Sequence, residues 1–408
     1  MHHGPMNFPL GRRDFLKRAS AVAAATVLTG SGVSAADAPT APRLKKLPRW
    51  RGFNLLEKFI ARRANAPFRE EDFAWIAGWG FDFVRLPMSY HCWSDPKNWR
   101  ELREPVLKEI DAAVALGRQY GVHVNLNFHR APGYSVDTST PEPFNLWTDA
   151  EALEACTYHW RHFAERYRDV PNSAVSFDLL NEPATATPAG GFLADAPYAR
   201  VVRALVGAIR EVSPDRLIVA DGLLWGRVPV PALADLGLAQ SLHVYDPMPV
   251  THWQADWVGG ADKWPEPTWP LPVAPEAAAG GRAQAKELRE VFRENPIAVR
   301  SLDQLDPAAE WNRARLERQI FQPWQELEAM GVPVHIGEFG AFNHTPHPVT
   351  LAWMKDLLAL AKNAGWGWAL WNFRGEFGIL DSERADVTYD DFHGHKLDRA
   401  MLELLQGS

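Results

Sequence analysis

Cysteine is almost absent: two residues, Cys92 and Cys156, in 408 exclude a disulfide framework as the main source of stability. No long basic cluster occurs, and 50 acidic against 43 basic side chains leave a net charge of −7, which argues against nucleic acid as a partner. Long strongly apolar runs are also missing, so nothing beyond the N-terminal leader described below is suited to enter a membrane. Neither an internal repeat nor a Gly-rich phosphate turn is evident. Tyrosine is sparse at eight, yet tryptophan reaches 18. An indole either fills a core or offers a flat apolar face to a ligand. With 46 % hydrophobic residues the chain is far too apolar to be disordered. Its length suits two or three ordinary domains or one large α/β barrel.

Residues 1–35 read as an address. Arg12-Arg13-Asp14-Phe15-Leu16-Lys17 is a twin-arginine pattern, followed by an uncharged small-residue stretch and a cleavage-like site at Val33-Ser34-Ala35. The expectation is export by the twin-arginine route to a periplasmic or secreted location, with no membrane insertion after cleavage. Residues 36–48 form a linker rich in Ala, Pro and Lys, and 49–408 form one catalytic domain.

From Trp50 onward, short apolar runs alternate with helical patterns. The strand-like runs are Arg51–Leu55, Phe81–Leu86, Val122–Phe128, Ala174–Leu180, Arg216–Ala220, Ser241–Tyr245, Pro333–Ile336 and Gly367–Trp371. Helices are predicted over Glu70–Trp79, Val106–Tyr120, Ala150–Tyr167, Tyr198–Val212, Asn312–Met330 and Thr350–Ala364, several ending in Gly before the next strand. Eight alternations predict an α/β fold, a (β/α)₈ TIM barrel, with a doubly wound open sheet as the alternative. Parity supports closure. In the third run Val122, Val124, Leu126 and Phe128 share one face, while His123, Asn125, Asn127 and His129 share a polar face directed into the barrel.

Asp246–Glu310, after the sixth strand, breaks the rhythm with Trp253, Trp257, Trp264, Trp269 and nine prolines. A connection of this length without structure is uncommon unless it is functional, so a flap beside the substrate cleft is expected. A subdomain with its own Trp core is the alternative.

The chemistry concentrates at two strand ends. Leu179-Leu180-Asn181-Glu182-Pro183 closes the fourth strand, and parity turns Glu182 into the barrel mouth with Ser176 and Asp178. Pro333-Val334-His335-Ile336-Gly337-Glu338-Phe339-Gly340 closes the seventh. Two carboxylates facing each other across one cleft are what glycoside hydrolysis requires: one protonated acid for the leaving oxygen, one ionised group for the anomeric carbon.

With these motifs the chain resembles glycoside hydrolase family 5, the cellulase-type family of retaining β-glycosidases, from Trp50 to the C-terminus. The resemblance implies Glu182 as acid/base and Glu338 as nucleophile, with no cofactor and no metal. It implies that Arg85, in Phe83-Val84-Arg85-Leu86-Pro87, lies beside the nucleophile and keeps it ionised. It further implies that His129 contacts sugar hydroxyls, that Asn181 bonds the 2-hydroxyl, that Tyr245 of the His243/Tyr245 pair orients the nucleophile, and that Trp371 is the platform under the sugar. Glu57, in Leu55-Leu56-Glu57, resembles the acid with which some exo-acting members grip the non-reducing sugar; a solvated carboxylate is the alternative. The partner implied is a carbohydrate, a β-glucan or related oligosaccharide.

Trp147 and Trp225 line outer subsites or pack loops, and Glu376 and Asp381 receive no role. His393 and His395 lack a third ligand at convincing spacing. Three competing readings remain at this level: an exo-acting β-glycosidase or mannanase on short or decorated glycosides, a metal-dependent barrel hydrolase using His129, His243 and His335 or His344, and a non-catalytic sugar-binding protein.

Overall fold

The computed structural model describes residues 46–137, 141–187 and 190–408. The leader and most of the linker lie outside the described residues. Eight parallel strands, named here first to eighth, run Arg51–Asn54, Phe83–Ser89, His123–Ala131, Val175–Asp178, Ile218–Asp221, Ala239–Val244, Val334–Phe339 and Trp368–Leu370. Each pairs with its neighbour in chain order, and the first pairs with the eighth through Arg51↔Trp368, Gly52↔Ala369 and Phe53↔Leu370. The sheet is therefore closed, and the TIM barrel is the observed fold.

The predicted helices are present with ends shifted by one to three residues at most positions. Helix Glu104–Tyr120 buries Leu107, Ile110, Ala113, Val114 and Gly117, a stripe at helical spacing that lies against the strands. Asn312–Met330 is helical but not uniform: Arg313–Leu316 passes through a π-turn at Glu317–Phe321 into Gln322–Ala329. Asn312 starts it by accepting a bond from the Arg315 amide.

Eight of the 18 tryptophans are buried core. Trp93, Trp160, Trp324, Trp353, Trp366 and Trp368 are fully buried between barrel and helices. Trp160 stacks on Phe128 at 4.0 Å between centroids and donates its indole N–H to the Leu179 carbonyl. Burying side chains of this size is worth roughly 1.5–3 kcal/mol each, so these rings hold the layers together rather than line a cleft.

Asp246–Glu310, read as a flap or a subdomain, has regular structure of its own. It contains helices Pro275–Val291 and Pro296–Asp303, each with proline in its first turn. Proline there removes no intrahelical bond, so Pro275 and Pro296 serve as helix starts. The leading part does lie beside the barrel mouth. Ala255 and Trp257 pack with Phe342, Phe377, Tyr245 and Trp371. Cys92 and Cys156 are buried and unpaired. No helix among the described residues is long and apolar enough to cross a membrane.

Candidate active site

Arg85, His129, Asn181, Glu182, His243, Tyr245, Glu338 and Trp371 converge on the C-terminal mouth of the barrel. Arg85, on the second strand, is its hub. Its Nε donates to Asp178 Oδ2 at 2.7 Å, Nη1 to Glu338 Oε1 at 2.6 Å and to Asn54 Oδ1 at 3.2 Å, and Nη2 to Asn181 Oδ1 at 2.9 Å. Burial opposes the Arg85 charge, but Asp178, Glu338 and Asp221 more than offset it and hold the guanidinium above its ordinary value. Glu338 Oε2 accepts from the Tyr245 hydroxyl at 3.0 Å. The tyrosine thus orients the carboxylate from one side while the arginine grips it from the other.

His243 fills the space between three carboxylates. Its Nδ1 lies 3.0 Å from Glu182 Oε1 and 3.7 Å from Glu338 Oε2, and its Nε2 lies 3.2 Å from Asp221 Oδ2. Burial disfavours the imidazolium, yet Asp221, Glu338 and Glu182 hold the ring protonated well above the ordinary histidine range. The backbone makes room for it. At the bulge between Ile336 and Glu338 stands Gly337, where a Cβ would come 2.3 Å from Ser241 Oγ and 3.0 Å from His243 Nε2. Only glycine lets the seventh strand approach the imidazole this closely.

Burial pushes the Glu338 carboxyl up to about 7, against the pull of His243 and Arg85, while Glu182 and Asp221 add to the rise. Arg85 acts in the expected direction, then, but it shares the task of keeping Glu338 ionised with His243. Glu182 sits differently. Its side chain is 14 % exposed against 4 % for Glu338, and no arginine touches it. One carboxylate oxygen of Glu182, one of Glu338 and a ring nitrogen of His243 all lie within 4.8 Å of one another.

The family model Cellulase (glycosyl hydrolase family 5) matches residues 43–376. The chain belongs to glycosyl hydrolase family 5. It is therefore an O-glycosyl hydrolase. Endoglucanase C of Acetivibrio thermocellus is 25 % identical over 331 residues, covering 79 % of this chain and 88 % of its own. Cellodextrinase A of Ruminococcus flavefaciens is 29 % identical over 198 residues, 46 % of this chain and 54 % of its own. A crystal structure of a glycoside hydrolase superposes with a TM-score of 0.75 at 34 % identity, covering 88 % of this chain and 99 % of that one. Thermotoga maritima Cel5A in complex with mannotriose shares the fold, with a TM-score of 0.60 at 20 % identity over 88 % of this chain and 97 % of that one.

In this family 5 site His129 and Trp371 stack on each other at 5.4 Å, with Phe59 edge-on to both. Burial holds His129 neutral, well below the ordinary histidine range, and its Nδ1 has no hydrogen-bond partner. Asn181 Nδ2 is likewise buried and without a partner, while its Oδ1 is occupied by Arg85. Both atoms are thus buried without a hydrogen-bond partner among the described residues.

Glu57 makes no hydrogen bond to any of these groups. It is no solvated carboxylate either: its Oε2 is buried and unpartnered, and burial together with nearby Asp72 pushes it up to about 7. Trp147 is 5 % exposed and packs on Tyr134, and Trp225 packs edge-on against Phe192. Asp381 bonds His395 Nδ1, and His393 stacks on Trp75, so this histidine pair belongs to a surface network around Arg374. The histidines of the metal reading do not converge. His335 lies near Phe83 deep in the barrel and His344 beside Phe342. Among the described residues the group able to ligate an ion is Glu182, His243 and Glu338. Within that group His243 turns one ring nitrogen to Glu182 and the other to Asp221.

Asp221 was not anticipated. It ends the fifth strand, faces His243 Nε2, and its Oδ2 accepts from the Glu182 amide at 3.0 Å. The sequence signal was a charged residue immediately after Ile218-Val219-Ala220, one position beyond the predicted strand end.

Proposed function

We propose that this enzyme is a retaining β-glycosidase that cleaves a β-linked glucan or a related oligosaccharide by double displacement. Glu182 protonates the leaving oxygen while Glu338 attacks the anomeric carbon. Water activated by Glu182 then releases the sugar from Glu338. The observation that carries this is the approach of the two carboxylates to within 4.8 Å, measured between one oxygen of each. Retaining pairs stand about 5–5.5 Å apart and inverting pairs about 6.5–9.5 Å, because an inverting enzyme must seat a water between its general base and the anomeric carbon. The assignment of roles follows from the surroundings. Glu338 receives an arginine and a tyrosine hydroxyl, both of which favour the ionised form, whereas Glu182 is more exposed and has His243 as its side-chain hydrogen-bond partner among the described residues.

A glucan substrate is supported by the endoglucanase and cellodextrinase relatives, and the aromatic Trp371 platform suits the apolar face of a pyranose. Export by the twin-arginine route accords with a polymeric substrate outside the cell; fractionation of cells expressing the full chain tests that address. The deciding experiment follows hydrolysis of β-glucans, mannan and xylan by product chromatography, with the first-formed anomer read by proton NMR. A β-anomer at early times is expected, and an α-anomer overturns the mechanism. Glu338→Gln should lose turnover by roughly 10⁴-fold or more, the scale seen when a nucleophile is removed. It should still bind the oligosaccharide.

A further inference from the structure

Glu182 stands in the left-handed region at φ 50, which a residue other than glycine rarely adopts. Such a backbone persists only where its surroundings fix it. At its amide, Asp221 Oδ2 accepts the N–H. At its carbonyl stands a residue from another loop: the Tyr134 hydroxyl donates to Glu182 O at 2.6 Å and accepts from the Ala184 amide at 3.0 Å. One hydroxyl thus spans the turn Glu182–Ala184 by holding an acceptor on one side and a donor on the other.

The third strand is built to deliver that hydroxyl. After Ala131 the chain reverses at Gly133, and Tyr134–Ser135 pairs antiparallel with Arg130–Ala131. Gly133 has φ 79, and a Cβ there would lie 2.7 Å from Ala152 Cβ and 2.8 Å from the Leu146 amide, so both conformation and space demand glycine. The buried Glu142 carboxylate ties the reversal down, accepting from the Gly133 amide at 3.1 Å and from Tyr90 at 2.5 Å. Trp147 packs on the Tyr134 ring at 4.9 Å. Further out, Asn145 Nδ2 donates to the Ala186 carbonyl at 2.9 Å across the same seam.

We infer that Tyr134 is a positioning residue for proton transfer, fixing the strained main chain of Glu182 so that its carboxyl meets the leaving oxygen. The inference rests on the reading of Glu182 as acid/base. Its consequence is selective. When the glycosidic bond breaks, an alkoxide leaving group must take the Glu182 proton, whereas dinitrophenolate departs without one. A displaced acid therefore slows only the former. The second step differs, because water attacking the glycosyl-enzyme must give its proton to Glu182, while azide attacks without losing one and yields the glycosyl azide.

The test compares kcat/KM of Tyr134→Phe on cellotetraose and on 2,4-dinitrophenyl β-cellobioside. The burst from the 2-deoxy-2-fluoro dinitrophenyl cellobioside counts competent sites. We expect a loss of about tenfold or more on cellotetraose, the scale of a misplaced catalytic group, with little change on the activated glycoside. Azide should raise kcat of the variant on the activated substrate. Glu182→Gln should show the same split more strongly. Equal loss on both substrates in Tyr134→Phe, with the split intact in Glu182→Gln, overturns the role of Tyr134 alone. Equal loss in Glu182→Gln overturns the acid/base reading and this inference with it. Should Tyr134→Phe give no burst, Asn145→Ala decides: a smaller split of the same kind supports the inference, and its absence overturns it.

Discussion

Two histidines on adjacent strands of one barrel have opposite fates. His243, on the sixth strand, is held protonated, while His335, on the seventh, is pushed down to about 3 by burial. Both are buried, so depth does not separate them. Company does. Asp221, Glu338 and Glu182 face His243, whereas His335 lies beside Phe83 with no carboxylate at hand and neither ring nitrogen bonded. His123, stacked under Trp50 at 3.7 Å, is also neutral, at about 4. The barrel interior is thus divided into a charged mouth, where each ion has a counter-ion, and a neutral floor. Buried charge survives only where it is paired, and this chain concentrates the pairing where chemistry occurs.

Breaking the mouth should cost most. Arg85→Met leaves Asp178 and Glu338 without their cation, and urea denaturation should show a loss of roughly 3–5 kcal/mol. A change below about 1 kcal/mol would mean that these carboxyls simply take up protons when the arginine is gone. Next, His243→Asn removes the imidazolium, and kcat/KM should fall by about 10²–10³-fold, as when a preorganised charge is lost. Because His243 pulls the Glu338 carboxyl down, its removal should also move the acidic limb of the kcat/KM profile to higher pH. An unmoved limb would break the comparison at its stronger end.

The smallest effect tests the floor. His335 has its folded value below its unfolded one, so the unfolded chain binds the proton first. Its contribution to stability is complete above pH 6.5 and declines as pH falls toward about 3. Within that window His335→Leu should flatten the fall of stability with acid by about 1.4 kcal/mol per pH unit, measured by denaturation at several pH values. An unchanged slope would show that the floor histidine is protonated after all.

How much of this was legible depended on whether the signal was local. Asn181-Glu182-Pro183 and Ile336-Gly337-Glu338 are short strand-end motifs, and parity turned Glu182 inward, while Glu338 was legible only from its place at a strand end, since a bulge breaks the alternation between Ile336 and Glu338. His243 and Tyr245 share a strand face by parity. Asp221 escaped because its partners, His243 and the Glu182 amide, come from other strands and only the closed barrel brings them together. Tyr134 escaped because it acts through the main chain, leaving no pattern of side-chain types to read. In Asp246–Glu310 the nine prolines carry no periodic signal, yet Pro275 and Pro296 open helices. The tryptophan excess left core and cleft equally open, and only the packed structure shows that six indoles are wholly core.

The pairing of Gly52 with Ala369 has a consequence for biosynthesis. The first strand leaves the ribosome more than 300 residues before its neighbour exists, and translation at roughly 5–20 residues per second leaves that edge unsatisfied for tens of seconds. Contacts so distant in sequence also slow the final closure. During this interval the backbone groups of Arg51–Asn54 are available to any passing β-strand. Nascent chains stopped before Trp368 should therefore be the species that aggregates and recruits chaperones, and release of the last forty residues should end that vulnerability.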